Sequence, residues 1–250
     1  MRKTIIITGA SSGLGAEMAR QFAAKGHDLG LCARRTERLE SLKSEIEAAH
    51  PEVNVVLKAL DVNDHDAVFS VFQDFRQTFG SIDRVIVNAG MGKGGSLGTG
   101  LFKYNKMTAE TNFVAALAQC EAALEIFREQ NHGHLVTIAS ISALRGMPRA
   151  MTTYAATKAA LLNLTEGIRA DMIRSGLPIA VSCILPGFIR SEINEKVKNT
   201  PFMCDTVPGV RSMVNAIDKE KAVAFVPGWP WRFIAFLMKR LPLKVVMKMG

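Results

Sequence analysis

The sequence is poor in the residues that build disulfide scaffolds and metal sites. It has four cysteines in 250 residues. Cys32, Cys120, Cys183 and Cys204 lie far apart, with no Cys-x-x-Cys pair. That spacing indicates neither a zinc site nor a disulfide framework and fits a reducing, cytoplasmic compartment. No metal ligand set is expected. The apolar run Ile5-Ile6-Ile7 is cut off at Thr8-Gly9, too early for the core of a signal peptide, so the N-terminus is expected to be structural. No repeat, low-complexity tract or proline-rich linker interrupts the chain, and no domain boundary is expected before about residue 228. Acids are missing at the end: residues 229–250 contain Arg232, Lys239, Arg240, Lys244 and Lys248 but no Asp or Glu, which takes +5 of the net +8 and leaves +3 for the rest. The body is therefore not unusually basic, and nucleic-acid binding is not expected.

What is present is a globular α/β pattern. Hydrophobic residues make up 48% and charged residues 22%, which excludes a largely disordered chain. Residues 3–8, 28–33, 83–88 and Ile179 to Leu185 read as short buried strands. Between strands, Val68, Val71, Phe72, Phe75 and Phe79 recur at three- and four-residue steps and share one helix face. Strands alternating with amphipathic helices imply parallel crossovers and a doubly wound sheet.

The chain is organised around Thr8-Gly9-Ala10-Ser11-Ser12-Gly13-Leu14-Gly15. A strand that turns through glycines into a helix presents backbone N–H groups and the positive end of a helix dipole, which is a phosphate site. The spacing Gly-x-x-x-Gly-x-Gly is not the Gly-x-Gly-x-x-Gly of the generic dinucleotide fingerprint. At the end of the second strand come Arg34 and Arg35, which read as partners of a 2′-phosphate, hence NADP(H), or as solvated charges before a helix. His134 to Ser140 is a strand that delivers a hydroxyl at its C-terminal end. Downstream, Tyr154 and Lys158 stand four apart, on one face of a predicted helix. A phenol that protonates a developing alkoxide needs its pKa brought down from about 10, and a neighbouring cation does that.

Taken together, the glycine spacing, Asn88-Ala89-Gly90, Ser140 and Tyr154-x-x-x-Lys158 resemble the short-chain dehydrogenase/reductase family over roughly residues 3–226. The resemblance implies a single-domain α/β fold of Rossmann type, with about seven strands in a parallel sheet and helices on both faces. It makes residues 1–228 the dinucleotide-binding catalytic domain, with a substrate lid over 192–215. Tyr154 is then proton donor in reduction and base in oxidation. Lys158 lowers the pKa of Tyr154 and holds the nicotinamide ribose, Ser140 binds the substrate oxygen, and Asn112 kinks its helix and holds a relay water. Ala33 stands where NAD-preferring members carry aspartate. The cofactor set is Gly9, Ser11, Ser12, Gly13, Leu14, Gly15, Arg34, Arg35, Asp61, Val62, Asn88, Ala89, Gly90, Tyr154, Lys158, Pro186, Gly187, Ile189 and Ser191. Asp61 is expected at the adenine amino group, although an aspartate there could also cap a helix, a job for which Asp64 is better placed. Ser140 precedes Tyr154 by fourteen residues, one more than usual in the family, and Ser142 by twelve, so either serine fits; Ser140 is favoured because it follows the strand directly.

Three segments stay open. Gly92, Gly94, Gly95, Gly98 and Gly100 make a mobile loop, either a plain connection or a substrate gate. Phe188, Ile193, Phe202 and Met203 suggest an apolar acceptor pocket or simply a packed loop. The tail 229–250 is a basic amphipathic helix with Phe233, Ile234, Leu237, Met238 and Leu241 on one face. It is too short to span a bilayer and suits peripheral membrane contact, a neighbouring subunit or a cover over the substrate mouth. The expected activity is NADPH-dependent reduction of a small-molecule ketone, reversibly oxidation of an alcohol, by a homodimer or homotetramer. The competing reading is a non-catalytic NADP(H)-binding protein that acts on a partner.

Overall fold

A computed structural model describes residues 3–194 and 201–246. In chain order the elements are β1 (Thr4–Thr8), α1 (Gly13–Ala23), β2 (Asp28–Ala33), α2 (Thr36–Ala49), β3 (Val55–Ala59), α3 (His65–Phe79), β4 (Arg84–Val87), α4 (Phe102–Ala109), α5 (Ala115–Gln130), β5 (Gly133–Ile138), α6 (Met151–Ser175), β6 (Ile179–Pro186), α7 (Thr206–Asp218), β7 (Val223–Val226), α8 (Gly228–Arg240) and α9 (Leu243–Val246). The seven strands form one sheet in the order β3-β2-β1-β4-β5-β6-β7, parallel throughout. This is the doubly wound architecture expected from the alternation of elements. The chain winds outward through β2 and β3, then returns to place β4 on the other side of β1, so the strand order switches between β1 and β4. Ligands of open parallel sheets sit at such a point, off the carboxyl ends of the strands.

Successive side chains of a strand face opposite ways, and β1 supplies both cores. Ile5 and Ile7 join Phe22, Leu39, Val210 and Met213 under α1, α2 and α7. Ile6 joins Phe72, Phe75, Phe127 and Leu161 under α3, α5 and α6. The predicted stripe on α3 holds: Val68, Phe72 and Phe75 are fully buried, with Val71 and Phe79 packed against them. Asp64 caps that helix by accepting from the Ala67 amide at 3.1 Å. β3 stops at Ala59, so Asp61 and Val62 lie just past the strand rather than closing it. The edge strand β7 is a finding of the structure.

The face the tail turns inward includes Met238, Ile234 and Leu241 of the predicted stripe but is rotated so that Phe233 points out and Trp231 and Ala235 point in. Trp231, Ala235 and Met238 are the buried positions of α8, while Phe233 is exposed. The reason is Trp231, which fills the space beside Gly187. A Cβ on Gly187 would come within 2.0 Å of the indole. Around it gather Ile141, Phe188, Phe225 and Val246, and Arg145 ties the end of α8 down by donating to the Leu241 carbonyl at 2.9 Å.

Candidate active site

The glycine turn between β1 and α1 is built by steric necessity. Gly9 and Gly13 have φ of +64° and +55°, a region that L side chains avoid. A Cβ on Gly15 would lie 2.4 Å from the Gly9 carbonyl oxygen, so α1 starts against the turn only with glycine there. From across the switch point, Asn88 donates through Nδ2 to the Thr8 carbonyl at 2.9 Å. The Thr8 hydroxyl accepts from the Asn88 and Ala89 amides at 3.0 and 3.1 Å. Thr8, wholly buried, is the clamp between β1 and β4, and sequence reasoning treated it only as the end of a strand.

The two arginines after β2 part company. Arg34 points into solvent, 3.8 Å from the Asp61 carboxylate. Arg35 turns back to the glycine turn and donates to Ser12 Oγ at 2.6 Å and Ser11 Oγ at 3.3 Å. Its guanidinium also reaches Glu192 at 3.1 Å through two nitrogens, and Arg38 grips the other oxygen of that carboxylate. Hydrogen bonds from Arg38, Ser12 and Arg35 hold the Glu192 carboxyl down at about 2. This cluster is therefore an anion site with a carboxylate in it. Arg38 and Glu192 were missed by sequence reasoning; for Arg38 the signal was its place one turn into α2, on the side of Arg35.

The hydroxyl, phenol and amine meet at the ends of β5 and α6. Ser140 follows β5 directly and accepts from the Ser142 amide at 3.2 Å and the Ser142 hydroxyl at 3.0 Å. Ser142 donates twice to Ser140, so the two hydroxyls act together at this point. Burial pushes the Tyr154 phenol above its ordinary value, and Ser140 opposes that. Burial thus works against the lowering that Lys158 is expected to bring. Lys158 sits with its Nζ 5.8 Å from the Tyr154 ring centre and donates to the Ile138 carbonyl at 2.8 Å. Burial pulls its ammonium down to about 8, which leaves it charged at neutral pH.

Asn112 lies in a single π-helical turn, Glu110–Val114, between α4 and α5. Such a turn is the local distortion that marks functional positions in helices. Its amide is completely buried. It accepts from the Met91 amide at 2.8 Å and donates to the Met91 carbonyl at 2.9 Å and to Thr157 at 3.3 Å. Both Asn112 Oδ1 and Lys158 Nζ face Gly90, 3.2 and 3.5 Å from where its Cβ would be. The glycine-rich loop is pinned: Asn105 exchanges two hydrogen bonds with Gly95, and Gly94 abuts the Ala150 carbonyl.

After β6, the Gly187 amide donates to the Val226 carbonyl at 2.9 Å, Ile189 pairs with Cys204, and Ser191 approaches Gly13, its Cβ 3.5 Å from where one on Gly13 would stand. Phe188 and Phe202 both meet Trp231 edge-on, at 5.3 and 6.4 Å between ring centres. The apolar wall thus includes a tail residue that sequence reasoning left out. The side chain of Ile193 and lid residues 195–200 lie outside the described residues, as do residues 247–250 of the tail. Among the described residues no group of three or more metal-ligating side chains occurs, and all four cysteines are unpaired.

A family model described as short chain dehydrogenase covers residues 3–201. The chain belongs to the short-chain dehydrogenase/reductase family. Within it, the chain is similar to an uncharacterized oxidoreductase of Mycobacterium tuberculosis, 49% identical over 241 residues, covering 96% of this chain and 94% of the relative. Among solved structures, a short-chain dehydrogenase from Sphingobium yanoikuyae in complex with NADPH aligns with a TM-score of 0.81 and 28% identity, over 96% of this chain and 97% of that one. A short-chain dehydrogenase/reductase from Burkholderia phymatum in complex with NAD shares the fold, with a TM-score of 0.85 at 21% identity over 99% and 95% of the two chains. The protein is thus an oxidoreductase of a nicotinamide-dependent family, and it acts on a small molecule.

Proposed function

We propose that the chain is an NADP(H)-dependent carbonyl reductase, reversible as an alcohol dehydrogenase, for an apolar ketone of 3-oxoacyl or steroid-like character. The observation that carries the reading is the convergence of Ser140, Tyr154, Lys158 and Asn112 on the switch point of the sheet. The residues present fit a dinucleotide. A turn that only glycine can make offers α1's N-terminal amides to a pyrophosphate, and the side chains that hold the Glu192 carboxylate are a donor set suited to a 2′-phosphate. Asn88, Ala89, Gly90, Asp61 and Val62 would flank the adenosine, and Pro186, Gly187, Ile189 and Ser191 the nicotinamide. When bound, the nicotinamide supplies or accepts the hydride.

The chain's own part is proton handling. A ketone oxygen that hydrogen-bonds to Ser140 and Tyr154 gains negative charge in reduction, and the Tyr154 Oη proton passes to it. At neutral pH the Tyr154 phenol carries its proton, which is the form that reduction consumes. Lys158, still cationic there, steadies the phenolate left behind. Asn112, beside Lys158, would hold the water through which the proton is restored. The aromatic wall of Phe188, Phe202 and Trp231 supports an apolar substrate. The unpaired cysteines support a cytoplasmic location. The exposed Val114 at the end of the π-helical turn and Leu117 on α5, with Ile173 on α6, support a homodimer or homotetramer. Residues 1–228 would form the catalytic unit, and 229–250 a tail appended to it.

The test is NADPH oxidation across small polar ketones, 3-oxoacyl thioesters and bulky apolar ketones, with Tyr154→Phe as the blank. Turnover confined to the bulky or acyl ketones and abolished in the variant is the expected result. Tight NADPH binding without turnover on any of them would favour the binding-only reading, and tighter binding of NADH than NADPH would defeat the cofactor assignment.

A further inference from the structure

The outward face of α8 and α9 is unused by the fold. Trp231, Ala235 and Met238 make the inward contacts, while Trp229 is 78% exposed and Phe233, Phe236 and Leu243 each just over half. Trp229 stacks on Phe233 at 6.3 Å, and Arg240 lies over the Phe236 ring at 4.1 Å. Arg232, Lys239, Arg240 and Lys244 share this exposed surface, and residues 229–250 contain no acid. We propose that this face docks on an anionic lipid surface. Aromatic and leucine side chains among cations are satisfied together where acyl chains meet anionic headgroups. A second copy of the chain fits the same face badly, because a two-fold contact would set cations against cations.

The experiment is co-sedimentation of the full chain with vesicles of phosphatidylcholine, with and without phosphatidylglycerol, at low and high salt. Binding should require the anionic lipid and weaken with salt. It should fall on the order of tenfold or more in Arg232→Gln/Lys239→Gln and in Phe233→Ser/Phe236→Ser, both at exposed positions and both expected to keep the wild-type thermal midpoint. Absence of binding, equal binding to neutral vesicles, or variants that bind like wild type would overturn the proposal. So would variants that change the elution volume of the protein alone, which would make the face a subunit contact.

Independently, we infer that Glu192 is an internal competitor for the cofactor's 2′-phosphate, an inference that rests on the NADP(H) reading. Its carboxylate engages two nitrogens of Arg35 at 3.1 Å and also Arg38, and two anions cannot share those donors without strong repulsion. Binding of a 2′-phosphate would then displace the Glu192 carboxylate from Arg35 and Arg38, whereas a 2′-hydroxyl would leave it in place. Calorimetric titration of Glu192→Gln with NADP+ and with NAD+ tests this. NADP+ should bind several-fold tighter than to wild type, with NAD+ unchanged. Weakening of both cofactors would mean that Glu192 closes over the dinucleotide, and no change in either would mean that it does not compete; both refute the inference. Failure of the NADP(H) reading itself would show in the wild type, as preference for NAD+.

Discussion

Lys158 should make the protein less stable at neutral pH than in mild alkali, and replacing it should remove that dependence. Its ammonium is buried and held at about 8, against 10.5 for a free lysine, because burial disfavours the charged form. The unfolded chain therefore binds the proton more tightly than the folded one. The cost is fully present below pH 8 and is relieved as pH rises from 8 to 10.5. Linkage puts it at about 3 kcal/mol at pH 7 and about 1 kcal/mol at pH 10. Denaturant unfolding of wild type and Lys158→Met across this range is the assay. The difference between the two proteins should shift by about 2 kcal/mol in favour of wild type between pH 7 and pH 10. Taking the difference matters, because burial raises Cys32 and Cys120 to about 12; those thiols cost stability at high pH in both proteins, whereas Cys183, which interacts with Lys158, cancels only in part. The lost hydrogen bond to Ile138 offsets the curves without altering their slope. A difference that stays flat within about 0.5 kcal/mol would refute the placement of a charged lysine in this environment.

The remaining expectations are briefer. Ser140→Ala should lower turnover by about 100-fold or more, and Ser142→Ala far less, because Ser140 directly follows β5 and accepts from Ser142; the reverse ranking in steady-state kinetics would reassign the hydroxyl. Arg35→Ala should weaken NADPH tenfold or more, the loss of about 2 kcal/mol of charged hydrogen bonding, with little effect on NADH, as read by fluorescence titration. Gly187→Ala should lower stability by about 1–3 kcal/mol through overpacking against Trp231, and Trp231→Leu in the same chain should recover part of it in thermal unfolding.

Much of this was legible in the sequence because it rests on local geometry. Buried strands alternating with striped helices dictate a doubly wound parallel sheet, and glycines at 9, 13 and 15 dictate a turn that opens onto a helix N-terminus. Tyr154 and Lys158 share a face because four residues make about one turn. What the sequence left open were contacts between elements far apart along the chain. No local pattern says that Arg35 rather than Arg34 turns back to Ser11 and Ser12, since that depends on how α2 leaves β2. Nor does periodicity show that Glu192 reaches across 154 residues to Arg38, or that Thr8 fastens β4 to β1. In the tail, the hydrophobic pattern suggested a face containing Phe233. Packing chose Trp231 instead, because only the glycine at 187 leaves room for an indole and only the assembled sheet brings β6 beside α8. Likewise, residue spacing puts a cation beside the phenol, but the burial that opposes its effect exists only once α6 has covered the end of β5.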